Sequence, residues 1–459
     1  MARLQSWFRR WREKREPAPR AIAPPMDENT LPPRSRSFER RVDTIVDTAG
    51  VETTGRGTTP EAVEAPTLDH NAFALALYDS IRTQSGNLFF SPFSLYIALG
   101  MAYAGARGET AAQMREALRI SVQDDDFLSG CAQALNSLNS ASGAGTELAV
   151  ANSLWSQAGE PLQSAYLDEI DRHFGGGVTA VDFRDETDAA RALINRWVEE
   201  RSKGRISEIV SPGALNADTR LVLVNAIYFK ATWAMPFIVP LTRDQPFFLE
   251  GGGEIKTPLM KQFADMGYLK GPDFQAVTLP YRGELSMVVL LPDRREGLRD
   301  LEAGLSVSLI RDCLRGQSSR EVDLFLPRFR ISWGAVDLSE SLKGLGMDLA
   351  FDAARADFSG INGLAPPNEE SLFLSAVLHK AFVDVNEENT EAAAASLMGM
   401  KLGGIEPPYD PPPNPVVRAD HPFLFAICDR RSGAVIFMGR VVDPTGSAGA
   451  CGPLTDALH

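Results

Sequence analysis

The order of the hydrophobic patterns along the chain most constrains its fold. Apolar residues recur at helical spacing early in the chain, over 68–81, 107–118 and 185–210. From residue 219 onward, short runs rich in branched and aromatic residues predict strands instead. The predicted strands are 219–233, 285–292, 320–332, 373–385, 421–429 and 434–442. Helices that come mainly first and strands that come mainly later indicate an α+β fold rather than a repeating βαβ unit.

A buried helix is predicted to begin at Ser91. A serine side chain can accept a hydrogen bond from the free amides of a first helical turn, and the following Pro92 suits that turn. The residues after Pro92 are apolar on almost every side, which predicts that the helix is buried all round.

Composition narrows the class of protein. The chain has 459 residues, of which 44% are hydrophobic, and a formal net charge of −14. We expect no nucleic-acid partner, because phosphate contacts need clustered Lys and Arg. No apolar run approaches the roughly 20 residues that cross a bilayer. The cysteines at 131, 313, 428 and 451 are too scattered for a disulfide framework, so we expect reduced thiols.

Residues 1–66 differ from the rest of the chain. They are rich in Pro, Arg, Thr and Glu and have little periodic pattern, which predicts a disordered extension. Within residues 1–15, four large apolar residues recur at helical spacing among basic ones: Leu4, Trp7, Phe8 and Trp11. This basic amphipathic pattern predicts either weak contact with an anionic membrane surface or a solvated tail. At the other end, residues 445–459 are expected to form a flexible tail.

Known catalytic motifs are absent from the sequence. It contains no G-x-S-x-G, no H-E-x-x-H, no Walker phosphate loop and no C-x-x-C pair. His379 lies inside an apolar strand, where a satisfied hydrogen bond in the core is a more ordinary role than general-base catalysis. We therefore expect neither an enzyme nor a cofactor or metal site.

The segment "NEENTEAAAASLMGMKLGGIEPP", residues 386–408, does not fit an ordinary helix or strand of a core. Four alanines follow its acidic start, and no proline occurs before Pro407. Alternate residues form one face that is small or apolar: Thr390, Ala392, Ala394, Ser396, Met398 and Met400. Glu391 falls on the opposite face. Such a segment could join a sheet as a strand with Glu391 outward; a flexible linker of low complexity is the alternative.

Four segments in the same order resemble the serpin family of serine protease inhibitors. They are 87–114, 221–237, 373–395 and 419–444. The resemblance implies a serpin domain over residues 67–444, with three β-sheets, about nine helices and an exposed reactive loop at about 386–415. It implies no catalytic role for the chain itself.

The function implied by the resemblance is inhibition of serine proteases as a suicide substrate. The protease cleaves the loop, forms an acyl-enzyme and is trapped when the cleaved loop inserts into the main β-sheet of a metastable fold. The alternative is a non-inhibitory serpin that acts as a binding or chaperone-like protein. Two departures support that alternative: Asn389, where the family usually has glycine, and the proline-rich arm 407–415.

The family motifs also assign roles to individual residues. The hinge of the loop corresponds to Glu387, Glu388, Asn389, Thr390, Glu391, Ala392, Ala393, Ala394 and Ala395. The reactive bond falls at Gly403–Gly404 or, with a shift of one residue, at Leu402–Gly403. The residues that hold the main sheet where the loop must pass correspond to Ser91, Ser94, Asn225, His379 and Trp233.

Partners and location follow from the same resemblance. Leucine at the bond would suit chymotrypsin- or subtilisin-like targets, and glycine an elastase-like target. The segment 121–142, whose counterpart binds sulfated sugars in some serpins, has no Lys or Arg, so we expect no glycosaminoglycan there. We expect a monomer that works outside the cell as most serpins do, with a cytoplasmic location as the alternative because no signal peptide is visible.

Overall fold

The structure, a computed structural model, describes five stretches of the chain. They are residues 60–140, 145–159, 162–315, 318–387 and 413–446, and for residues 60–66 and 140 only the backbone is described. These stretches belong to one unit that runs from Thr58 to His459. Within them the predicted α+β class is confirmed, with ten α-helices and fourteen strands.

The described helices range from four to 22 residues. They are α1 Pro60–Ile81, α2 Pro92–Gly105, α3 Gly108–Ala117, α4 Asp124–Ser140, α5 Ser164–Phe174, α6 Thr187–Arg201, α7 Leu298–Ala303, α8 Val307–Arg315, α9 Ser339–Gly344 and α10 Ser359–Asn362. Two single 3-10 turns lie at Val239–Leu241 and Leu349–Phe351.

The described strands range from three to seventeen residues. They are β1 Leu88–Phe90, β2 Thr146–Gln157, β3 Val178–Val181, β4 Leu221–Ala231, β5 Arg243–Phe248, β6 Glu254–Lys270, β7 Phe274–Pro280, β8 Leu285–Pro292, β9 Ser318–Pro327, β10 Phe329–Asp337, β11 Leu374–Val385, β12 Val416–Arg418, β13 Phe423–Asp429 and β14 Val435–Val441.

Five strands form sheet I in the order β10-β11-β4-β2-β3. The central pair, β4 and β11, is parallel and runs in register from Val222 opposite Ala376 to Phe229 opposite Val383. Both neighbours of this pair, β2 and β10, are antiparallel to it. Sheet I therefore has a parallel junction at its centre.

The other nine strands form sheet II, in which β1, β14, β13, β8, β7, β6, β9 and β12 follow one another and β5 pairs with β6. The first residues of β6 pair with β5, the middle of the strand pairs with β9, and its last residues pair with β7. The family resemblance implies three sheets. Here the long strand β6 joins two of them by hydrogen bonds, so they form one continuous sheet.

Helix α2 lies at the centre of the core, as its sequence predicts. Ser91 caps it by accepting a hydrogen bond from the Ser94 amide at 3.1 Å, and Pro92 occupies its first turn. Every residue of α2 except Ala104 is buried. The helix packs against β2 and β4 of sheet I and against β14 of sheet II, so its N-terminus lies where the two sheets meet.

The strand predictions differ from the structure in two respects. The predicted strand 320–332 is two strands of different sheets, because the chain leaves β9 of sheet II at Pro327 and enters β10 of sheet I at Phe329. The sequence also predicts no strand at β1, β2, β3, β5, β6, β7 or β12. Along β6, buried and partly exposed residues do not alternate strictly, so the period of two that marks a strand is weak there.

Candidate functional site

The candidate site begins at the parallel junction of β4 and β11. Across this junction the rings of Tyr228 and Phe382 stack with their centroids 5.4 Å apart. Strand β11 leads through Asn386 and Glu387 into residues 388–412, which lie outside the described part of the chain. The chain is described again just before β12, which belongs to sheet II.

A network of buried side chains lies beneath the middle of this junction. Asn225 on β4 donates from Nδ2 to Ser94 Oγ at 2.6 Å, and its Oδ1 accepts from His379 Nδ1 at 2.5 Å. The Asn225 amide also donates to Asn152 Oδ1 on β2, which accepts a second hydrogen bond from Ser94 Oγ at 2.9 Å. The network therefore ties three strands of sheet I to the first turn of α2.

Ser91 completes the network. Its backbone amide donates to His379 Nε2 at 3.2 Å, and its hydroxyl donates to the Ile436 carbonyl of sheet II at 2.8 Å. Because Nε2 accepts, the proton of the neutral His379 ring lies on Nδ1. Burial lowers the pKa of His379 to about 3, so the ring is neutral near pH 7. A base that titrates so far below neutrality is poorly suited to general-base catalysis, and the geometry supports a structural role.

The end of β11 is held by a second set of contacts. Trp233 Nε1 donates to the Asn386 carbonyl at 3.0 Å. The Trp233 ring stacks on Tyr281 with the centroids 4.3 Å apart and the planes 13° apart. Asn386, the first residue after β11, is thus fixed to a buried aromatic pair.

Glu387 is the last residue described before the loop, and its carboxylate is clamped. It is 2% exposed, and it accepts hydrogen bonds from Arg328 Nε and from Thr242 Oγ1. Burial alone would raise the pKa of Glu387, but the hydrogen bonds from Arg328 and Thr242 outweigh it and lower the pKa below its usual value. Glu387 is therefore an anion at neutral pH, held by Arg328 from the link between β9 and β10 and by Thr242 from the turn before β5.

Other kinds of site find little support among the described residues. No group of three or more His, Cys, Asp or Glu side chains in them could hold a metal ion. Of the helices in these stretches, none is both long and apolar enough to cross a membrane. Cys131, Cys313 and Cys428 are buried free thiols, and burial raises the pKa of each.

Comparison with known proteins adds to this geometry. The family model described as "Serpin (serine protease inhibitor)" matches residues 69–444. The chain belongs to the serpin family. An uncharacterized serpin-like protein of Thermococcus kodakarensis is 37% identical over 420 residues, which cover 91% of this chain and 94% of that protein. The leukocyte elastase inhibitor of Sus scrofa is 37% identical over 383 residues, which cover 81% of this chain and 97% of that inhibitor.

Solved serpin structures share the fold. A serpin of Arabidopsis in its native stressed conformation has a TM-score of 0.76 and 28% identity, and covers 84% of this chain and 99% of its own. Uncleaved ovalbumin has a TM-score of 0.72 and 26% identity, and covers 83% of this chain and 100% of its own. The names of these relatives do not support the expected extracellular location, and the location in or outside the cell stays a prediction.

The structure brings four of the five predicted sheet residues of this serpin together. Ser91, Ser94, Asn225 and His379 share one network, whereas Trp233 lies at the end of β11 and contacts Asn386 instead. Of the hinge residues only Glu387 is described. The rest of the hinge, from Glu388 to Ala395, and the bond residues Leu402, Gly403 and Gly404 lie outside the described residues, and their roles stay predictions.

Three residues of this serpin site escaped the sequence analysis. Asn152 lies opposite Asn225 in the register of β2 and β4, and Arg328 and Thr242 hold Glu387. The signal for Asn152 was an amide inside an apolar run, since asparagine is depleted in strands. Arg328 gives no such signal, because it is 59 residues from Glu387 in sequence.

Replacing Asn225 with alanine is expected to lower the free energy of unfolding by about 2 kcal/mol. The change leaves the buried Nδ1 proton of His379 without its acceptor, and an unsatisfied buried group costs about 1–3 kcal/mol. Urea unfolding monitored by circular dichroism measures the loss. The control is Asn414→Ala, which removes an exposed amide that donates to Glu321 at 3.1 Å. Equal stability of the two variants would contradict a structural role of the network.

Two buried histidines predict that acid destabilises the folded chain. Burial lowers the pKa of His379 to about 3 and that of His70 to about 4, from a usual value of 6.5. Below pH 6.5 the unfolded chain therefore binds more protons than the folded chain, so stability present above that pH is lost as the pH falls. Each histidine accounts for about 1 kcal/mol between pH 6.5 and 5.5.

The pH dependence can be assigned with variants. His379→Gln should be less stable than the unchanged chain at pH 7 but should lose less further stability between pH 6.5 and 5.5. His173→Gln, at a half-buried position near the end of α5, is the matched control and should lose as much as the unchanged chain. The attribution fails if His379→Gln shows the full acid sensitivity.

Proposed function

We propose that this serpin inhibits serine proteases by trapping them as acyl-enzymes. The observation that carries the proposal is the parallel junction of β4 and β11, which leads directly into residues 386–408 with their alternating small face. In this mechanism the chain supplies a bond to be cleaved and a conformational change, and the protease supplies the catalytic groups. Residues 387–395 act as the hinge of the loop.

The geometry of the junction between β4 and β11 supports insertion of the cleaved loop as a new strand. A strand that folds back from the end of β11 and enters between β11 and β4 would be antiparallel to both, since the two strands are parallel to each other. Parallel pairing is slightly less stable per residue than antiparallel pairing. Insertion replaces one parallel ladder by two antiparallel ladders, and each added hydrogen bond contributes about 0.5–1.5 kcal/mol net.

The buried network at Asn225 opposes the insertion of the cleaved loop. An inserting strand must separate β4 from β11, and the bond between Asn225 and His379 joins these two strands. The Tyr228–Phe382 stack joins them nearer their ends. Both contacts hold the sheet closed before cleavage, so we propose that they set the barrier that keeps the uncleaved fold metastable.

The target is proposed from the bond residues. Leu402, Gly403 and Gly404 favour chymotrypsin-, subtilisin- or elastase-like enzymes over trypsin-like ones. The leukocyte elastase inhibitors among the relatives carry an elastase in their name, which supports testing an elastase first. We propose that the active form is a monomer, since one loop and one sheet of the same chain suffice for this mechanism.

The test is gel electrophoresis in denaturant after mixing the full chain with chymotrypsin, elastase, subtilisin or trypsin. We expect a covalent complex that survives denaturation with at least one of the first three. Mass spectrometry of the released C-terminal peptide is expected to show a new N-terminus at Gly403 or Gly404. A bond outside residues 401–404 would contradict the assignment of the reactive bond.

The alternative is a non-inhibitory serpin that serves as a binding or chaperone-like protein, favoured by Asn389 and the proline-rich arm 407–415. It predicts cleavage in the loop by these proteases without a stable complex. Cleavage would then also bring no gain in thermal stability, because the loop would not insert. That pair of results would overturn the inhibitory proposal.

A further inference from the structure

A cavity of about 440 Å³ lies between α1, α2, α4 and the hairpin of β13 and β14. Its inner wall is apolar and includes Phe93, Ile97 and Phe127, all of which are buried. Two of its lining residues, Asp126 on α4 and Arg431 on the hairpin turn, are exposed and mark its opening. A cavity of this size is within the range of small-molecule sites, which lie mostly between about 300 and 1,000 Å³.

Two buried polar atoms in the wall of the cavity have no hydrogen-bond partner among the described residues. They are His70 Nε2 on α1 and the hydroxyl oxygen of Tyr96 on α2. His70 is 4% exposed and Tyr96 is 5% exposed, and their ring centroids are 5.3 Å apart. Buried polar atoms of folded proteins are nearly always paired, so two such atoms beside one cavity point to a group that belongs there.

The hydrogen-bond roles of the two atoms are defined by their surroundings. Asn71 donates from Nδ2 to the Gly433 carbonyl, and its Oδ1 accepts from the Val435 amide at 3.0 Å. The same Oδ1 is 3.1 Å from His70 Nδ1, so Nδ1 carries the proton and Nε2 is left as an acceptor. Tyr96 offers a hydroxyl that can donate. One ligand hydroxyl could therefore donate to His70 and accept from Tyr96.

The charge of the wall disfavours an anionic ligand. Burial lowers the pKa of His70 to about 4, so this ring is neutral near pH 7 and offers no positive charge. Asp126 and Asp429 also line the cavity, and the exposed Arg431 already has a carboxylate beside it, since its Nε lies 3.8 Å from Asp429 Oδ1. A carboxylate would thus enter an apolar site without a buried cation to balance it, which is costly.

We propose that this cavity binds a neutral, mostly apolar alcohol or phenol, whose hydroxyl is held between His70 and Tyr96. Ser91, Ser94, Asn225, His379 and Glu387 do not line this cavity. It does not depend on protease inhibition, so it can be tested whether or not the chain is an inhibitor.

The experiment is isothermal titration calorimetry of the full chain with three probes that share one apolar body: para-butylphenol, butylbenzene and para-butylbenzoate. We expect para-butylphenol to bind about tenfold more tightly than butylbenzene, since the phenol can make two hydrogen bonds that butylbenzene cannot make. We expect para-butylbenzoate to bind more weakly than para-butylphenol. Absence of para-butylphenol binding, or tighter binding of the benzoate, would overturn the proposal.

Two variants test whether the probes bind in this cavity. Tyr96→Phe should reduce the preference for the phenol to about threefold, because one of its two hydrogen bonds is lost, without changing the Kd of butylbenzene. Ala134→Phe places a ring in the cavity and should abolish binding of both probes. An unchanged preference in Tyr96→Phe would overturn the assignment to this cavity, and this result does not depend on whether Ala134→Phe folds.

The matched control is Tyr103→Phe on the same helix. The Tyr103 hydroxyl donates to Asp124 at 2.7 Å, and Tyr103 does not line the cavity. Tyr103→Phe should therefore lower the Tm and leave the tenfold preference intact. Tyr96→Phe should leave the Tm equal or higher, because its hydroxyl has no described partner to lose. The opposite order of the two Tm values would mean that Tyr96 is satisfied within the fold.

Discussion

Replacing Thr390 with arginine is expected to abolish the stable protease complex while the loop is still cleaved. Thr390 is the first residue of the small face that would enter sheet I during insertion. A charged side chain at this position would have to be buried without a partner, at a cost of several kcal/mol. Because each 1.36 kcal/mol changes a rate tenfold, insertion should slow by more than about 100-fold and the acyl-enzyme should hydrolyse first.

The readout is the ratio of complex to cleaved chain on a denaturing gel with the protease that the unchanged chain inhibits. Glu391→Arg is the matched control, since Glu391 falls on the opposite face of an alternating strand and should stay in solvent. We expect that variant to keep most of its complex. If Glu391→Arg loses the complex and Thr390→Arg keeps it, the inserted strand has the opposite register.

A second large effect is expected for Arg440→Met, which should lower the free energy of unfolding by about 3–5 kcal/mol. Arg440 on β14 and Glu302 on α7 form a buried ion pair at 2.9 Å, with 7% and 3% of their side chains exposed. Arg440 also donates to the carbonyls of residues 82, 84 and 86, just after α1. The Tyr78 hydroxyl donates to Glu302 at 2.6 Å. Methionine would leave the Glu302 carboxylate buried without a counter-ion.

The double variant Arg440→Met with Glu302→Gln distinguishes the cost of the unpaired Glu302 charge from the cost of altered packing. It removes the buried charge and should recover part of the loss, measured by urea unfolding. Arg299→Met is the control, because its pair with Glu250 at 3.0 Å is exposed and is worth at most about 1 kcal/mol. A cost for Arg440→Met no greater than that of Arg299→Met would show that the buried pair contributes little to stability.

The strands buried on both faces could be predicted from the sequence. The predicted range 285–292 is the observed β8, and the predictions for β4, β11, β13 and β14 are within two residues at each end. Strands β8, β13 and β14 are nearly continuous apolar runs, so their burial is visible without knowing their neighbours, whereas β11 shows alternation of buried and half-buried residues in its second half. The start of α2 was predictable for a similar reason, since Ser91 caps it and Pro92 begins it locally.

Half-buried strands and polar partners could not be predicted. Strand β6 carries exposed and buried residues in an irregular order, and its three successive parts pair with the different strands β5, β9 and β7. The clamp on Glu387 needs Arg328 from the link between β9 and β10 and Thr242 from the turn before β5. Which polar side chains meet depends on how distant strands align, and the sequence of neither strand specifies that alignment.

The sequence by itself determined the family, the α+β class and the loop pattern, because motifs, periodicity and alternation are local properties of the chain. Only the tertiary structure decided that Asn152 completes the network with Asn225, that β6 joins two sheets into one, and that His70 and Tyr96 share one cavity. These are contacts between residues far apart in sequence. They arise when packing brings separate strands and helices together and leaves each buried polar atom with whatever partner lies within reach.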